Sequence, residues 1–357
     1  MADPRSGRRA FLAGLASAAA GLCGCRRRVL PVTPPPPPED DPGPDASTAA
    51  RLLEPGHPEE VMPPAAAPRE DMLSGISRVK APEAELIVAS GKDPAAMVRL
   101  AVEAIGGIRH FVARGSRVVL SPNFAWSRPV RAGITTNPAV VREVIRLCEE
   151  AGAREVVCVD YTTDATPRAF RVNGAFEALQ GTRARLLSPA SAEQHVRIGD
   201  FDRGKLHAGR LRWQAVAQEL LRCDVLISLP VFKHHREVRV TGAVKKLMGC
   251  VWRRAAYHKV DLHGCIAELG SILRPTLVVT DATRLLCSNG PEGPGKVCVP
   301  DQVLVSTDPV LADAFACRHV GVEPRRVRYL REAQRLGVGS MELSKKRIEY
   351  VTARRRG

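Results

Sequence analysis

Several features that are common in membrane and cofactor proteins are missing from this sequence of 357 residues. No apolar run reaches the roughly 18 residues that cross a bilayer as a helix, which excludes a polytopic membrane protein. No C-x-x-C pair occurs, so an iron–sulfur cluster of the ferredoxin type has no support. The absence of a G-x-S-x-G elbow argues against an ordinary serine hydrolase. Aromatic residues make up only 4% of the chain, so its core must rest on aliphatic side chains.

The formal charge of +15 is distributed unevenly along the chain. Residues 1–28 carry +5, residues 39–71 carry −7 and residues 325–357 carry +8, which leaves +9 for the rest. A strong basic excess is typical of proteins that bind nucleic acid or anionic lipid. No zinc-finger spacing or helix-turn-helix signal accompanies the charge. An Arg-rich composition without a specific partner is therefore the alternative to nucleic-acid binding.

The first 25 residues resemble a twin-arginine export signal. Arg8 and Arg9 are followed, after one spacer, by Phe11 and Leu12, and a short run rich in Ala and Gly comes next. The run ends near Cys25, which resembles the lipidated cysteine of a bacterial lipoprotein. We therefore expect export by the twin-arginine machinery, and a periplasmic location or a lipid anchor in the membrane. The alternative is a disordered basic tail.

Three segments follow the signal. Residues 26–78 include five consecutive prolines followed by acidic residues, so we expect an extended, solvated tether. Residues 79–343 have the alternating pattern of a folded α/β domain, and residues 344–357 are expected to form a basic C-terminal tail. A tether behind a lipid anchor would hold the folded domain clear of the membrane.

The folded segment is predicted to be an α/β domain with a mostly parallel sheet, helices on both faces and, as an option, two lobes around a cleft. We predict strands at 86–89, 117–120, 155–159, 225–229, 277–280 and 302–305, helices at 138–151, 259–273 and 309–320, and a hairpin at 195–213. Polar residues follow five strands, at Asn123, Asp160, Lys233, Asp281 and Asp308. Open α/β sheets bind ligands beyond the carboxyl ends of their strands, so a crevice is expected there. Helix or turn capping is the alternative for Asp160 and Asp308.

The segment 230–263 is the densest in groups that can carry chemistry. It contains four of the nine histidines, and neutral imidazoles bind transition metals. The candidate metal ligands are His234, His235, His258 and His263. The segment has no H-E-x-x-H motif, so histidines without a metal are the alternative.

An anion site is predicted at the start of a helix in the same segment. Thr241 and Gly242 precede Lys245 in a run that suits a loop entering a helix. Free backbone amides at such a position favour a phosphate or carboxylate. With Asn123 at a strand end, these residues are the candidate cofactor-binding set. A capped helix with surface lysines is the alternative.

Eight cysteines lie beyond Cys25. Several of them fall in predicted strands or helices, where buried free thiols are common. The pair Cys287 and Cys298 is the one plausible loop pair. We therefore expect mostly free, buried thiols.

Several motifs between residues 80 and 343 resemble the bacterial and archaeal family called domain of unknown function 362. They are, in order, Pro122-Asn123, Thr135-Thr136-Asn137-Pro138, Leu229-Pro230-Val231-Phe232-Lys233-His234-His235, Thr241-Gly242-Ala243-Val244-Lys245, Gly290 to Gly295, and Ser306-Thr307-Asp308. Some members of the family carry fused ferredoxin-like cluster motifs, which this chain lacks.

A fainter similarity links the same stretch to nickel-dependent lactate racemases. It rests on the ten-residue spacing of His235 and Lys245, with Thr-Gly before the lysine and His258 after it. The similarity implies that Lys245 would hold a nickel-pincer nucleotide, that His235 would act as an acid or base, and that His258 or His263 would ligate the metal. Together with Asp281 at a strand end, His235 and Lys245 are the candidate catalytic residues.

Two classes of function therefore remain open. One is an exported protein that binds a transition metal or an anionic cofactor or substrate in a cleft built around residues 230–263; as an enzyme it would be a metal- or cofactor-dependent isomerase or oxidoreductase. The other is a non-catalytic envelope lipoprotein that binds a small anionic ligand. Export argues against a third option, nucleic-acid binding through residues 325–335 and the C-terminal arginines.

Overall fold

The computed structural model describes residues 83–197, 210–211 and 214–353. Arg8 and Arg9 of the predicted export signal, the predicted lipidation site Cys25 and the predicted tether at 26–78 lie outside the described residues. In the part of the chain that is described, no helix combines the length and the apolarity that a membrane span requires.

Most strands belong to one sheet of eight. In chain order the strands are β1 (Leu86–Ser90), β2 (Arg117–Pro122), β3 (Glu155–Val159), β4 (Arg185–Leu187), β5 (His195–Arg197), β6 (Ala215–Ala217), β7 (Val225–Leu229), β8 (Lys233–His235), β9 (Arg239–Thr241), β10 (Leu277–Ala282), β11 (Leu285–Leu286), β12 (Val297–Cys298), β13 (Gln302–Ser306) and β14 (Ile348–Thr352). The large sheet has the order β14-β1-β13-β10-β7-β2-β3-β4. Only β13 runs antiparallel to its neighbours there, which confirms the predicted α/β fold with a mostly parallel sheet.

The remaining strands form three small antiparallel pairs, which are β5 with β6, β8 with β9, and β11 with β12. The hairpin predicted at 195–213 corresponds to the first pair, although its second arm begins only at Ala215. The β8–β9 pair matters most for function, because it stands directly after β7 and carries two of the candidate histidines.

Helices cover both faces of the large sheet. They are α1 (Pro94–Ala104), α2 (Pro138–Glu150), α3 (Thr166–Val172), α4 (Ala175–Leu179), α5 (Gln218–Leu221), α6 (Ala243–Lys246), α7 (Ala256–Val260), α8 (Leu262–Ile272), α9 (Pro309–Ala316) and α10 (Arg328–Arg335). One hydrophobic cluster joins α1–α4 to one face, and a second joins α5–α10 to the other. Alternate strand residues feed the two clusters, as Val118 and Val119 do, because successive side chains of a strand point to opposite faces.

Two of the predicted helices begin where their capping residues stand. Asn137 accepts a hydrogen bond from the backbone N–H of Ala139 at 3.0 Å, one residue after Pro138 opens α2. Asp308 accepts one from the N–H of Leu311 at 2.8 Å at the start of α9. Asp308 therefore caps a helix, which was the alternative to a role in the crevice.

The sheet extends further toward the C-terminus than the predicted boundary at residue 343. β14 pairs in parallel with β1 along all five residues and forms one edge of the sheet. Ion pairs hold the strand's start, since Lys346 Nζ lies 2.6 Å from Glu85 and Arg347 lies 2.9 Å from Glu83. Charged residues surround β14, so its segment has the composition of a basic tail. Composition alone therefore did not reveal this strand.

Most of the described cysteines are free and buried, as predicted. Cys287 and Cys298 form a disulfide that ties β11 to β12. The six other described cysteines are free and buried. Burial raises the pKa of the Cys148 and Cys158 thiols, so both stay protonated. These free thiols act as core side chains.

Peptide mapping of the unreduced protein should find Cys287 and Cys298 in one linked pair, because the structure places their sulfurs in a covalent bond. Replacing Cys298 with Ser should lower the free energy of unfolding by about 2–4 kcal/mol, since the open loop gains freedom in the unfolded chain. If Cys287 and Cys298 are both alkylated in protein that is unfolded without a reductant, their thiols are free and the disulfide is contradicted.

Candidate functional site

A cleft of about 410 Å³ lies at the carboxyl ends of β2, β3 and β7. Its walls are formed by residues from 123–126, 160–163 and 233–258, together with Pro291. From β2 the chain proceeds through β3 to β4 on one side, and β7 then lies on the other side of β2. The order of strands therefore reverses between β2 and β7, and ligands of open α/β sheets bind at such a reversal.

Five of the predicted site residues line this cleft. They are Asn123, His235, Thr241, Lys245 and His258. Asn123 follows β2, whereas the other four come from the stretch that begins with the β8–β9 pair. Gly242, Asp281, His234 and His263 do not line the cleft, so the structure brings together only part of the predicted set.

His235 is a neutral hydrogen-bond donor in the cleft wall. Its Nδ1 accepts hydrogen bonds from the backbone N–H groups of Glu237 and Val238 at 3.2 and 3.4 Å. In the neutral ring the proton is then on Nε2. Burial, reinforced by the charges of Lys245 and Lys233, lowers the pKa of His235 to about 2. The ring therefore stays uncharged at neutral pH and offers an N–H to a ligand.

Two lysines of the cleft have lowered pKa values. Burial, together with Lys245, lowers the pKa of Lys233 to about 7, and its Nζ donates to the backbone oxygen of Ile134 at 2.6 Å. Burial and the charge of Arg254 lower the pKa of Lys245 to about 8. Lys245 is half-buried, and no described residue forms a hydrogen bond or ion pair with its Nζ. It is the cleft's free cation among the described lysines.

A buried ion pair below Lys245 was not among the predicted site residues. Lys246 Nζ lies 2.8 Å from Asp160 Oδ1 and donates to Ser121 Oγ at 3.1 Å. The second carboxylate oxygen of Asp160 accepts the N–H of Phe124. The position of Asp160 after β3 was the only sequence signal for this pair, and it did not reveal the partner.

Gly249 makes room for this ion pair. A Cβ at Gly249 would lie 2.0 Å from Asp160 Oδ1 and 2.3 Å from Lys246 Nζ. Any larger residue at this position would therefore push the two charges apart. The glycine allows a backbone segment to pass directly beside the pair.

The amides at the start of α6 are already occupied, which corrects the expectation of an anion site at Thr241 and Gly242. Asp313 of α9 accepts the N–H of Ala243 at 2.6 Å through Oδ1 and that of Val244 at 3.1 Å through Oδ2. A Cβ at Gly242 would lie 2.1 Å from Asp313 Oδ1, so the glycine serves this contact. The carboxylate of Asp313 fills the place where a phosphate was expected.

Asp281 is a structural anchor below the cleft. Its Oδ1 accepts from both the N–H and the hydroxyl of Thr283, and its Oδ2 accepts the N–H of Asn137 at 2.8 Å. The carboxylate is buried, and burial raises its pKa. Its bonds connect β10 to the start of α2, and none reaches the cleft.

Only two of the four candidate metal ligands, His235 and His258, share the cleft. His234 Nδ1 accepts the N–H of Gly290 at 3.2 Å, and the His263 ring stacks near Tyr329. His258 Nδ1 lies 2.8 Å from Glu237 at the rim of the cleft. Across the described ranges, no group of three or more His, Cys, Asp and Glu side chains is arranged to hold a metal ion. Neighbouring positions on β8 alternate in direction, which separates His234 from His235.

Arg254 forms one wall of the cleft. Its guanidinium donates to the backbone oxygen of Tyr161 at 2.9 Å and to the hydroxyl of Thr163, and it lies 4.9 Å from the centre of the Tyr161 ring. These contacts fix the cation without neutralising it, because none of the partners is charged.

Residues 118–318 match the family described as Domain of unknown function (DUF362). Over 205 residues, the chain is 28% identical to the thylakoid-associated protein sll1697 of Synechocystis sp.. That match covers 55% of this chain and 60% of the relative, so it spans about three-fifths of the relative's length. Among solved structures, the lactate racemase apoprotein from Thermoanaerobacterium thermosaccharolyticum superposes with a TM-score of 0.42 and 11% identity. That superposition covers 68% of this chain and 63% of the racemase chain.

Replacing Asp313 with Asn should destabilise the protein by about 1–3 kcal/mol, because the amide can accept only one of the two N–H bonds and turns a donor toward the other. Urea unfolding at a pH above the pKa of Asp313, which burial raises to about 7, measures this loss.

Asp93 provides the matched control. It accepts two N–H bonds at the start of α1 through Oδ1 alone, at 2.9 and 3.2 Å, so Asn can keep both. Asp93→Asn should change stability by less than about 0.5 kcal/mol. Equal losses in the two variants would contradict the role of Asp313.

Proposed function

The chain belongs to the family of the domain of unknown function DUF362, and we propose that it binds an anionic small molecule in the cleft. The observation that carries the proposal is the unpaired Nζ of Lys245 within a half-buried wall. A cation without an ion-pair or hydrogen-bond partner in a concave site attracts an anion and interacts with it more strongly than an exposed lysine would.

The charges around Lys245 support the same conclusion. Cationic side chains in the cleft wall are Lys233, Arg236, Lys245, Lys246 and Arg254. The two acidic residues of the wall already have partners, since Asp160 pairs with Lys246 and Glu237 contacts His258. The described wall therefore has five cationic side chains against two acidic ones, and this positive excess favours an anionic ligand.

The polar groups of the cleft suit an anion better than a metal ion. Lys245 and Arg254 offer N–H donors, and neutral His235 adds an Nε2–H. A metal ion requires lone pairs from deprotonated or neutral ligands, and His235 uses its Nδ1 lone pair for backbone bonds. A phosphate or a carboxylate accepts hydrogen bonds from all three groups.

The similarity to lactate racemases implies a nickel-pincer nucleotide, and the side chains of the cleft can be compared with those that would hold it. Lys245 is available in the cleft, but His263 lies elsewhere and His258 is engaged by Glu237. The described residues thus fit the anionic part of such a group and not its metal.

We also propose that the protein is exported and held at the membrane surface through Cys25. The Arg8-Arg9 motif supports export, and a disulfide between Cys287 and Cys298 suits an oxidising compartment. The relative from Synechocystis is described as thylakoid-associated, which agrees with a location at a membrane. In this setting the protein serves as an envelope-side binding protein for an anionic ligand.

Sulfate binding tests the ligand proposal, because the charge of sulfate stays constant across the range in which the lysines titrate. Lys233 and Lys245 are cations below their pKa values of about 7 and 8, so affinity should be highest at acidic pH. Between about pH 6 and about pH 9 the affinity should fall about tenfold or more as both amines lose their protons. Isothermal titration calorimetry of the full chain measures this change.

The variants Lys245→Met and Lys259→Met make this test specific. Lys245→Met should abolish most of the binding, whereas Lys259 is exposed, does not line the cleft, and should leave affinity and pH dependence unchanged. Equal effects of the two substitutions, or binding that does not depend on pH, would contradict a cleft site.

Replacing Arg8 and Arg9 together with Lys should keep the protein in the cytoplasm, because the paired arginines are the part of the signal that the export machinery recognises. Cell fractionation measures the outcome. Replacing Arg26 and Arg27 with Lys is the control, since these arginines lie behind the predicted cleavage site. Export of both variants at the same level would exclude the twin-arginine route.

A further inference from the structure

Three lysines line the described part of the cleft, and they differ in whether a ligand can reach their amines. Lys233 is 1% exposed, and its Nζ donates to the backbone oxygen of Ile134. Lys246 is also buried, and its Nζ pairs with Asp160. Lys245 is half-buried, and its Nζ is open to the cleft without a partner among the described residues. A molecule that enters the cleft therefore meets the amine of Lys245.

The surroundings of Lys245 give its amine a neutral fraction that an exposed lysine lacks. Burial and the charges of Arg254 and Lys246 lower its pKa to about 8, and Glu237 opposes this shift. At pH 7 about a tenth of the amine is then unprotonated, which is more than about a hundredfold above the fraction in an ordinary lysine. An unprotonated amine in a desolvated site beside another cation is a nucleophile toward carbonyl groups.

Arg254 offers a fixed partner for a carboxylate close to this amine. Two nitrogens of its guanidinium donate to the backbone oxygen of Tyr161 and to the hydroxyl of Thr163. A guanidinium has five N–H groups, so donors remain for a ligand. Because Arg254 lines the same cleft as Lys245, a carboxylate bound to it lies within reach of the amine.

His235 adds a donor for the oxygen of a carbonyl group. Its ring is neutral, and the backbone bonds at Nδ1 leave the proton on Nε2. A neutral N–H that donates to a carbonyl oxygen stabilises the charge that develops there when a nucleophile attacks the carbon. The cleft thus combines an amine, a guanidinium and a neutral N–H donor. An α-keto acid has the matching groups, since its carboxylate is bonded directly to a carbonyl carbon.

We infer that the ligand of this cleft is an α-keto acid and that Lys245 forms an imine with it. The amine nitrogen adds to the keto carbon and forms a C–N bond. Its two protons then leave with the keto oxygen as one water molecule, and the C=N bond replaces the C=O bond without an oxidant or a reductant. The inference rests on the proposed anion-binding function and specifies the ligand class and a covalent step at the same site.

Reductive trapping tests for the imine, because cyanoborohydride converts a C=N bond into a stable secondary amine. The full chain is incubated with α-ketobutyrate and cyanoborohydride, and mass spectrometry of its peptides locates the adduct. We expect one adduct, on Lys245. Butanone, in which a methyl group replaces the carboxylate, should label at least about tenfold less because it lacks the charge that Arg254 binds.

Two pairs of variants make the test specific. Lys245→Met should abolish the adduct and preserve folding, since the amine has no partner in the described protein; Lys259→Met, at an exposed position outside the cleft, should leave labelling within about twofold. Arg254→Met should reduce labelling by α-ketobutyrate more than labelling by butanone. It raises the pKa of Lys245 for both ligands but removes a charged partner only from the keto acid. Arg222→Met, also exposed and outside the cleft, is its control.

The pH dependence separates imine formation from anion binding. With α-ketobutyrate at a saturating concentration, the labelling rate should rise between about pH 6 and about pH 8, because the neutral fraction of Lys245 grows as the pH approaches its pKa of about 8. The affinity for sulfate is expected to fall over the same range, since sulfate binds the protonated amine.

The outcomes distinguish this inference from the proposal on which it rests. Absence of an adduct, an adduct on Lys233 or on an exposed lysine in place of Lys245, or equal labelling by α-ketobutyrate and butanone would overturn the α-keto acid inference, while sulfate binding stays intact. Failure of sulfate to bind at any pH, together with absence of an adduct, would overturn both.

Discussion

The buried ion pair between Asp160 and Lys246 determines which charged side chains of the cleft are free to bind a ligand. Lys245 and Lys246 are neighbours on a single turn of helix, yet only Lys246 forms an ion pair with a carboxylate. Because the pair is buried and Asp160 also accepts the N–H of Phe124, loss of either partner would leave an uncompensated charge in the core. With Asp160 paired in this way, Lys245 faces the cleft without an ion pair to any described residue.

This arrangement depends on contacts between distant parts of the chain. Asp313 lies 70 residues after Ala243, and it holds the start of α6 through two backbone bonds. Gly242 and Gly249 admit these side chains at distances that no Cβ would permit. The helix that carries both lysines is only four residues long, so these contacts and not helix propensity hold it in place.

The fold could be predicted from regular sequence patterns. The hydrogen-bond and ion-pair partners of the site residues could not. Aliphatic runs such as 225–229, and caps such as Asn137 before Pro138, correspond to elements with nearly the expected bounds. The start of α6 was recognised as an anion-binding position, but no local signal showed that Asp313 supplies the anion. The histidines of 230–263 are close in sequence, yet strand alternation and the turn into α8 direct them to different surroundings.

Lys245 and His235 are the groups that we propose to hold a bound anion. A crystal structure of the full chain grown with tungstate, a heavy analogue of sulfate, locates that anion directly by its anomalous signal. We predict a tungstate in the cleft within hydrogen-bond distance of Lys245 Nζ and His235 Nε2. Tungstate found only on the arginine-rich surface of residues 325–335, with none in the cleft, would contradict it.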